Sequence, residues 1–179
     1  MTTYEAPTKG KWFIRSSSPR KEGLDLGIDP GLQTGWALLD GKEIAAAGVI
    51  DVRDSRRPFH DLRLSVASLL SGYAPGRAFM EEGFLPAGAS SSQAAQLRGA
   101  IKAALEERFM RYREVNPMRV RAMTGATRIS DAERRRMLCG YFQVPEKFKL
   151  GGKGQALTLP CHIIDSAAVA WAGAEKEKA

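Results

Sequence analysis

The stretch Leu24-Asp25-Leu26-Gly27-Ile28-Asp29-Pro30-Gly31 sets an acidic side chain at the end of a short apolar run, directly before a turn. Leu24, Leu26 and Ile28 recur with period two, which predicts a buried strand, and Pro30-Gly31 predicts the turn that ends it. Asp29 then stands at a strand end that is sheltered yet open, where a carboxylate is costly unless something positive meets it. A metal ion or a phosphate-bound metal is the natural partner. Taken alone, the tripeptide is explained more simply by an aspartate that caps its own turn. The remainder of the chain decides between the two.

Outward from this strand, Trp36 to Leu39 and Ile44 to Ile50 are apolar runs separated by Asp40-Gly41, a pair suited to a tight hairpin. Three antiparallel strands are thus expected at once. Phe59, Leu62, Val66, Leu69 and Leu70 fall at helical spacing between Pro58 and Ser71, and Pro75-Gly76 breaks the chain before a short strand at Ala78-Phe79-Met80. That strand runs into Glu81-Glu82. A second long helix is expected from about Ser91, with Ala94, Leu97, Ile101 and Leu105 on one face, followed by a short strand near Val115. Ser130-Asp131-Ala132-Glu133 has the spacing of a capping box and starts a helix to about Tyr141. A Gly/Lys-rich loop at Gly151 to Gly154 leads to Leu157 to Leu159, and Ile163 to Ala174 reads as a final, alanine-rich helix. The expected α/β architecture is a mixed five-stranded sheet, three antiparallel strands and then parallel ones, flanked by helices.

The length of 179 residues suits one domain with a hydrophobic core. Residues Met1 to Glu22 read as a basic, mobile leader with a short ordered piece at Trp12-Phe13-Ile14, and the domain proper as residues 23–179. Lys and Arg number 27 against 20 acidic residues, a formal charge of +7 that favours a polyanionic partner or simple solubility. Cys139 and Cys161 form neither a metal-ligand nor a redox spacing, which suits a reduced intracellular protein. With neither a membrane-length apolar span nor a signal-peptide pattern, a cytoplasmic chain with no membrane association is expected.

Acidic residues recur at the ends of elements: Asp29 after the first strand, Glu81 after the later strand, and Asp165 at the start of the last helix. Neighbouring parallel strands would bring Asp29 and Glu81 together. His162 precedes Asp165 by three residues, a spacing that projects both from one helix face. Three carboxylates and an imidazole suit Mg²⁺ or Mn²⁺, of which Mn²⁺ accepts nitrogen more readily. Two such ions roughly 4 Å apart activate water and stabilise the leaving oxygen in phosphodiester hydrolysis. Each residue also has a plain structural reading: surface strand ends for Glu81 and Glu82, a helix-start histidine hydrogen-bonded to backbone, and an aspartate at the positive end of its helix.

The ordered set Gly27-Ile28-Asp29-Pro30-Gly31 with Thr34-Gly35, Met80-Glu81-Glu82-Gly83-Phe84, Gln96-Leu97-Arg98-Gly99 and His162-Ile163-Ile164-Asp165-Ser166-Ala167 resembles the RuvC family of Holliday junction resolvases. The likeness covers nearly the whole chain beyond the leader. The first motif alone is shared with sugar-kinase and actin-like ATPases, but those need a second glycine-rich phosphate motif late in the chain, and none stands here at a strand-to-turn position. The resemblance implies an RNase H-like fold, a homodimer, and Mg²⁺-dependent paired nicking of four-way DNA junctions. It makes Asp29, Glu81, His162 and Asp165 the metal ligands and catalytic residues, in the histidine variant of the ligand set. It makes Phe84 the aromatic residue that stacks on a junction base, a contact worth roughly 1–3 kcal/mol per base. DNA-binding roles fall by the same resemblance to Arg98, to Arg119 and Arg121 in Pro117-Met118-Arg119-Val120-Arg121, and to Arg128 or Arg134 as the later basic residue. Arg121 stands where a basic active-site residue is usual, and its fork changes the geometry of phosphate contact without losing affinity. The arginines at Arg134 to Arg136 also suit a solvated helix face. The competing readings are a relaxed nuclease of the same fold acting on forks, flaps or RNA–DNA hybrids, and a non-catalytic junction-binding protein.

Overall fold

The computed structural model describes residues 3–8, 11–15, 23–83, 92–123, 129–149 and 156–178. In chain order the elements are β1 (Thr3–Thr8), β2 (Lys11–Arg15), β3 (Asp25–Asp29), β4 (Gln33–Asp40), β5 (Glu43–Asp51), α1 (Pro58–Tyr73), β6 (Arg77–Glu81), α2 (Ser92–Glu107), β7 (Tyr112–Val115), α3 (Pro117–Met123), α4 (Asp131–Tyr141), β8 (Lys147–Lys149), β9 (Ala156–Thr158) and α5 (Cys161–Lys178). The five strands expected from the sequence are β3 to β7. They lie in the order β5-β4-β3-β6-β7, with β3 antiparallel to β4, β4 antiparallel to β5, and β6 parallel to both β3 and β7.

The ordered piece expected at Trp12-Phe13-Ile14 lies in β2. Strands β1 and β2 pair antiparallel, and β2 pairs with β5 through Ile14↔Ala47 and Arg15↔Ala46, so among the described residues the sheet has seven strands. Trp12-Phe13-Ile14 are residue types that fit a pleated surface. Without this hairpin β5 would be an open edge. Two further differences are short: α3 begins directly at Pro117, and β8 and β9 form a small separate hairpin.

The alternation of β3 sorts its side chains between two cores. Leu26 and Ile28 pack with Leu38, Ala78 and Met80 beneath α1 and α2, through Leu62, Val66, Leu97 and Ile101. The opposite sheet face, with Ala37, Leu39 and Phe79, is covered by α5 through Ile163, Ala167 and Ala170. Gly27 and Gly35 belong to this second face, and both touch α5 so closely that a Cβ at Gly27 would overlap the backbone carbonyl of Ser166 and one at Gly35 that of His162. Glycine is therefore required at both positions by proximity. Since side chains two apart on a strand share a face, Asp29 points to the same side as Gly27, toward the start of α5.

The capping box of α4 forms as predicted: the Ser130 amide donates to Glu133 Oε2 at 2.9 Å and the Glu133 amide to Ser130 Oγ at 3.3 Å. Ser130→Ala is expected to cost about 1 kcal/mol. In a chain of this size that lowers the thermal midpoint by roughly 2–4 °C. An unchanged midpoint in a melting experiment would show that the cap contributes nothing.

Candidate active site

The turn after β3 is locked by Thr34, a fully buried residue whose hydroxyl donates to the Gly31 carbonyl at 2.7 Å and accepts from the Gly31 amide at 3.3 Å. The cap that the sequence offered to Asp29 is thus made by Thr34. The Asp29 carboxylate turns instead to α5, where Oδ2 lies 2.9 Å from His162 Nδ1. A carboxylate only accepts, so the contact places a proton on Nδ1 and leaves Nε2 as the nitrogen open to a ligand. The His162 imidazole is held above its ordinary range, chiefly by this hydrogen bond, against the opposing effect of burial and with help from the charges of Asp29 and Asp165.

Glu81 enters from the end of β6, the parallel neighbour of β3, on the same face as Phe79. Its carboxyl is pushed up to about 7, first by burial, then by the charge and hydrogen bonding of Asp29 and the charge of Asp165, with Arg134 acting in the other direction. Asp165 receives a fork from Arg134 of α4, with Nη1–Oδ1 at 3.1 Å and Nη2–Oδ2 at 3.2 Å. Three carboxylates and an imidazole from β3, β6 and α5 therefore influence one another at one end of the sheet, and one arginine answers part of their charge. The proton that Glu81 holds up to about 7 thus reflects burial first and the neighbouring carboxylates second.

That donor set has the chemistry of a hard divalent cation site: carboxylate oxygens and one imidazole nitrogen. As they stand, however, no three His, Cys, Asp or Glu side chains among the described residues are arranged to grip an ion. The reason is visible in the pairing, since His162 leans on Asp29 and Arg134 occupies both oxygens of Asp165. The residues fit the ion in kind and location, and their present rotamers are set by internal partners.

The remaining candidates separate. Arg134 reaches the acidic cluster, whereas Phe84 and Arg128 lie outside the described residues. Arg121 is exposed on α3. Arg119 lines a cleft of about 280 Å³ together with Phe79, Glu82, Arg113, Asn116 and Gly173. Asp29, Glu81, His162 and Asp165 do not line that cleft. Glu82 is tied by its amide to the Val115 carbonyl at 2.8 Å and accepts from Asn116 Nδ2 at 3.3 Å. Arg98 is engaged inside the molecule, its Nη2 donating to Glu114 Oε1 at 2.7 Å. Thr34 and Asn116 were not singled out for these roles from the sequence. Thr34 follows Pro30-Gly31 at the spacing of a turn lock, a signal that was available, while nothing local marks Asn116. No described helix is long and apolar enough to cross a membrane.

Comparison with known proteins gives this geometry a family. A curated Crossover junction endodeoxyribonuclease RuvC from Polynucleobacter necessarius is 32% identical over 120 residues, covering 63% of this chain and 71% of that one. Among solved structures, Thermus thermophilus RuvC in complex with a Holliday junction substrate superposes with a TM-score of 0.70 at 18% identity, over 87% of this chain and 95% of the other. The yeast mitochondrial Holliday junction resolvase superposes with a TM-score of 0.54 at 14% identity, over 90% and 83% of the two chains. These two structural likenesses bear on the fold, which is the RNase H-like fold expected. The family described as Crossover junction endodeoxyribonuclease RuvC matches residues 25–170, and the chain therefore belongs to the RuvC family of Holliday junction resolvases.

Proposed function

We propose that this nuclease is a cytoplasmic homodimer that resolves four-way DNA junctions by paired, metal-dependent nicking at the cluster of Asp29, Glu81, His162 and Asp165. The observation that carries the reading is the meeting of these four side chains at one end of the sheet, beside the fork of Arg134. They would hold Mg²⁺ or Mn²⁺, two ions per site. When bound, such ions activate the attacking water and stabilise charge on the phosphate and the leaving oxygen.

The chain's own residues do the rest. Asp29 fixes the imidazole of His162 through Nδ1, so that Nε2 is presented with one orientation. Glu81 holds its proton up to about pH 7, and a bound cation would have to displace it. Arg134, whose partner Asp165 belongs to the ligand set, is the group suited to take a phosphate oxygen pair once that carboxylate is otherwise engaged. Arg119, Arg121 and Arg128 supply backbone contacts, and Phe84 stacks on a base at the crossover.

Substrate class is tested by offering a mobile four-way junction, a flap and an RNA–DNA hybrid at equal concentration. Paired cuts confined to the junction support the reading. Equal cutting of all three would make the protein a relaxed nuclease, and no metal-dependent nick in any would make it a binder.

The proton on Glu81 has a consequence for stability. Between the ordinary carboxylate value of 4.5 and the raised value of about 7, the folded chain holds a proton that the unfolded chain has released, so stability falls as pH rises through that window. His162 acts in the same direction: its contribution is complete below 6.5 and is lost as pH passes its raised value. The metal-free protein should therefore melt at a lower temperature at pH 8 than at pH 5, and Glu81→Gln should remove much of that slope. Mn²⁺ should raise the midpoint more at pH 8 than at pH 5, because binding must displace these protons. Equal stabilisation at both values would contradict the assignment.

A further inference from the structure

We infer that Arg98 is a positioning residue for the reaction, a clamp on the end of strand β6 that carries Glu81, and that DNA contact is not its role. The inference rests on the proposal that Glu81 is a metal ligand. Arg98 lies on α2, and its guanidinium is packed directly under Gly83, so closely that a Cβ at Gly83 would overlap Nη1. The same group donates from Nη2 to Glu114 of β7 at 2.7 Å, and Lys102 Nζ, one helical turn further along α2, stands 3.1 Å from the same Glu114 oxygen. Burial raises the Glu114 carboxylate, and the hydrogen bonds and charges of Arg98 and Lys102 together bring it below its ordinary range.

The clamp is consistent along its length. The side chain of Arg98 is 18% exposed, and its Nη2 is committed to the Glu114 carboxylate. Gly83 is the second residue after Glu81, and Glu82 between them is anchored to β7 through the Val115 carbonyl. The backbone that leaves the active-site strand is thus hydrogen-bonded to β7 on one side and in contact with the Arg98 guanidinium of α2 on the other. A planar, forked cation suits this task, because it fills the space under Gly83 while holding a carboxylate in a fixed direction. Lysine would supply the charge without the plate.

A DNA contact and a clamp predict opposite behaviour from the partner carboxylate. If Arg98 held phosphate, Arg98→Ala would weaken junction affinity and reduce the salt slope by about 1, and Glu114→Gln would strengthen binding by freeing the arginine. If Arg98 is a clamp, Arg98→Ala and Glu114→Gln should each lower kcat on the junction by roughly tenfold to a hundredfold, the range for loss of a residue that orients a metal ligand. Metal-free junction affinity and its salt slope should stay within about twofold. The double variant should be no worse than the more damaged single one, since both break the same contact. Arg98→Lys should recover less than half of the lost activity. Thermal midpoints and junction binding show that each variant is folded, and Asp29→Asn in the same series serves as the inactive reference. Lost affinity in Arg98→Ala with unchanged kcat, tighter binding by Glu114→Gln, or additive losses in the double variant would each overturn the clamp. A clamp that fails while Asp29→Asn remains inactive leaves the metal-site reading standing, whereas an active Asp29→Asn removes the reading on which it rests.

Discussion

Asp29→Asn is expected to abolish junction cleavage while leaving metal-free junction binding within about twofold of the parent. The carboxylate is the partner of His162 and the strongest charge acting on Glu81, so its neutralisation would remove one proposed ligand and relax two others at once. Loss of a residue that merely orients a metal ligand costs about 10–100-fold. Loss of a central ligand should cost more, at least roughly a thousandfold in single-turnover cutting. Asparagine preserves volume and can still accept from Nδ1 of His162, and the arginines that would meet phosphate are untouched. Glu81 should also lose much of its retained proton, because one of the charges that raise it is gone. Gel analysis of nicked junction with Mg²⁺, alongside binding in chelator, measures both halves of the expectation. Normal Mg²⁺-dependent cutting by the variant would exclude the mechanism.

The second large effect is expected from a methyl group that touches none of the four residues' functional atoms. In Gly35→Ala the new Cβ would overlap the backbone carbonyl of His162, and backbone cannot swing aside as a side-chain tip can. Helix α5 must lift from β4, carrying His162 and Asp165 away from Asp29. Overpacking of this kind costs about 1–3 kcal/mol. At roughly 2–4 °C per kcal/mol, the thermal midpoint should fall by several degrees. Activity should fall further than stability suggests, since a shift of about 1 Å in catalytic geometry can cost a hundredfold. Gly99→Ala is the matched comparison: it lies on α2 with no atom of the described residues near its absent Cβ, and alanine there should be neutral or stabilising by up to about 1 kcal/mol. A Gly35→Ala protein as stable and active as the Gly99 variant would show that the close approach of α5 does not set the site.

These two residues mark what could and could not be read along the chain. Asp29, Glu81, His162 and Asp165 were legible as candidates because each sits where a local pattern ends, and local patterns are what sequence carries. The five central strands and α4 were legible for the same reason: period two, hairpin punctuation and a capping box are all short-range signals. The contact between His162 and Asp29 spans 133 positions, and no local rule pairs them. Gly35 was visible as a residue of the motif, but the carbonyl pressed against it belongs to a helix far along the chain. Arg134 and Arg128 were equivalent as basic residues, and only the packing of α4 beside α5 brings Arg134 to Asp165. In the leader, the apolar run Trp12-Phe13-Ile14 was legible as an ordered piece and lies in β2, whereas the edge of β5 that β2 joins was not. In each case the missing information was the identity of a distant partner.

The central claim, that Asp29, Glu81, His162 and Asp165 form one two-ion site, is tested most directly by a crystal structure with Mn²⁺ and its anomalous signal. The account predicts two ions among these four side chains, with Arg134 released from at least one oxygen of Asp165. An ion held elsewhere, or scattered weak peaks with the His162–Asp29 and Arg134–Asp165 pairs intact at saturating Mn²⁺, would contradict it.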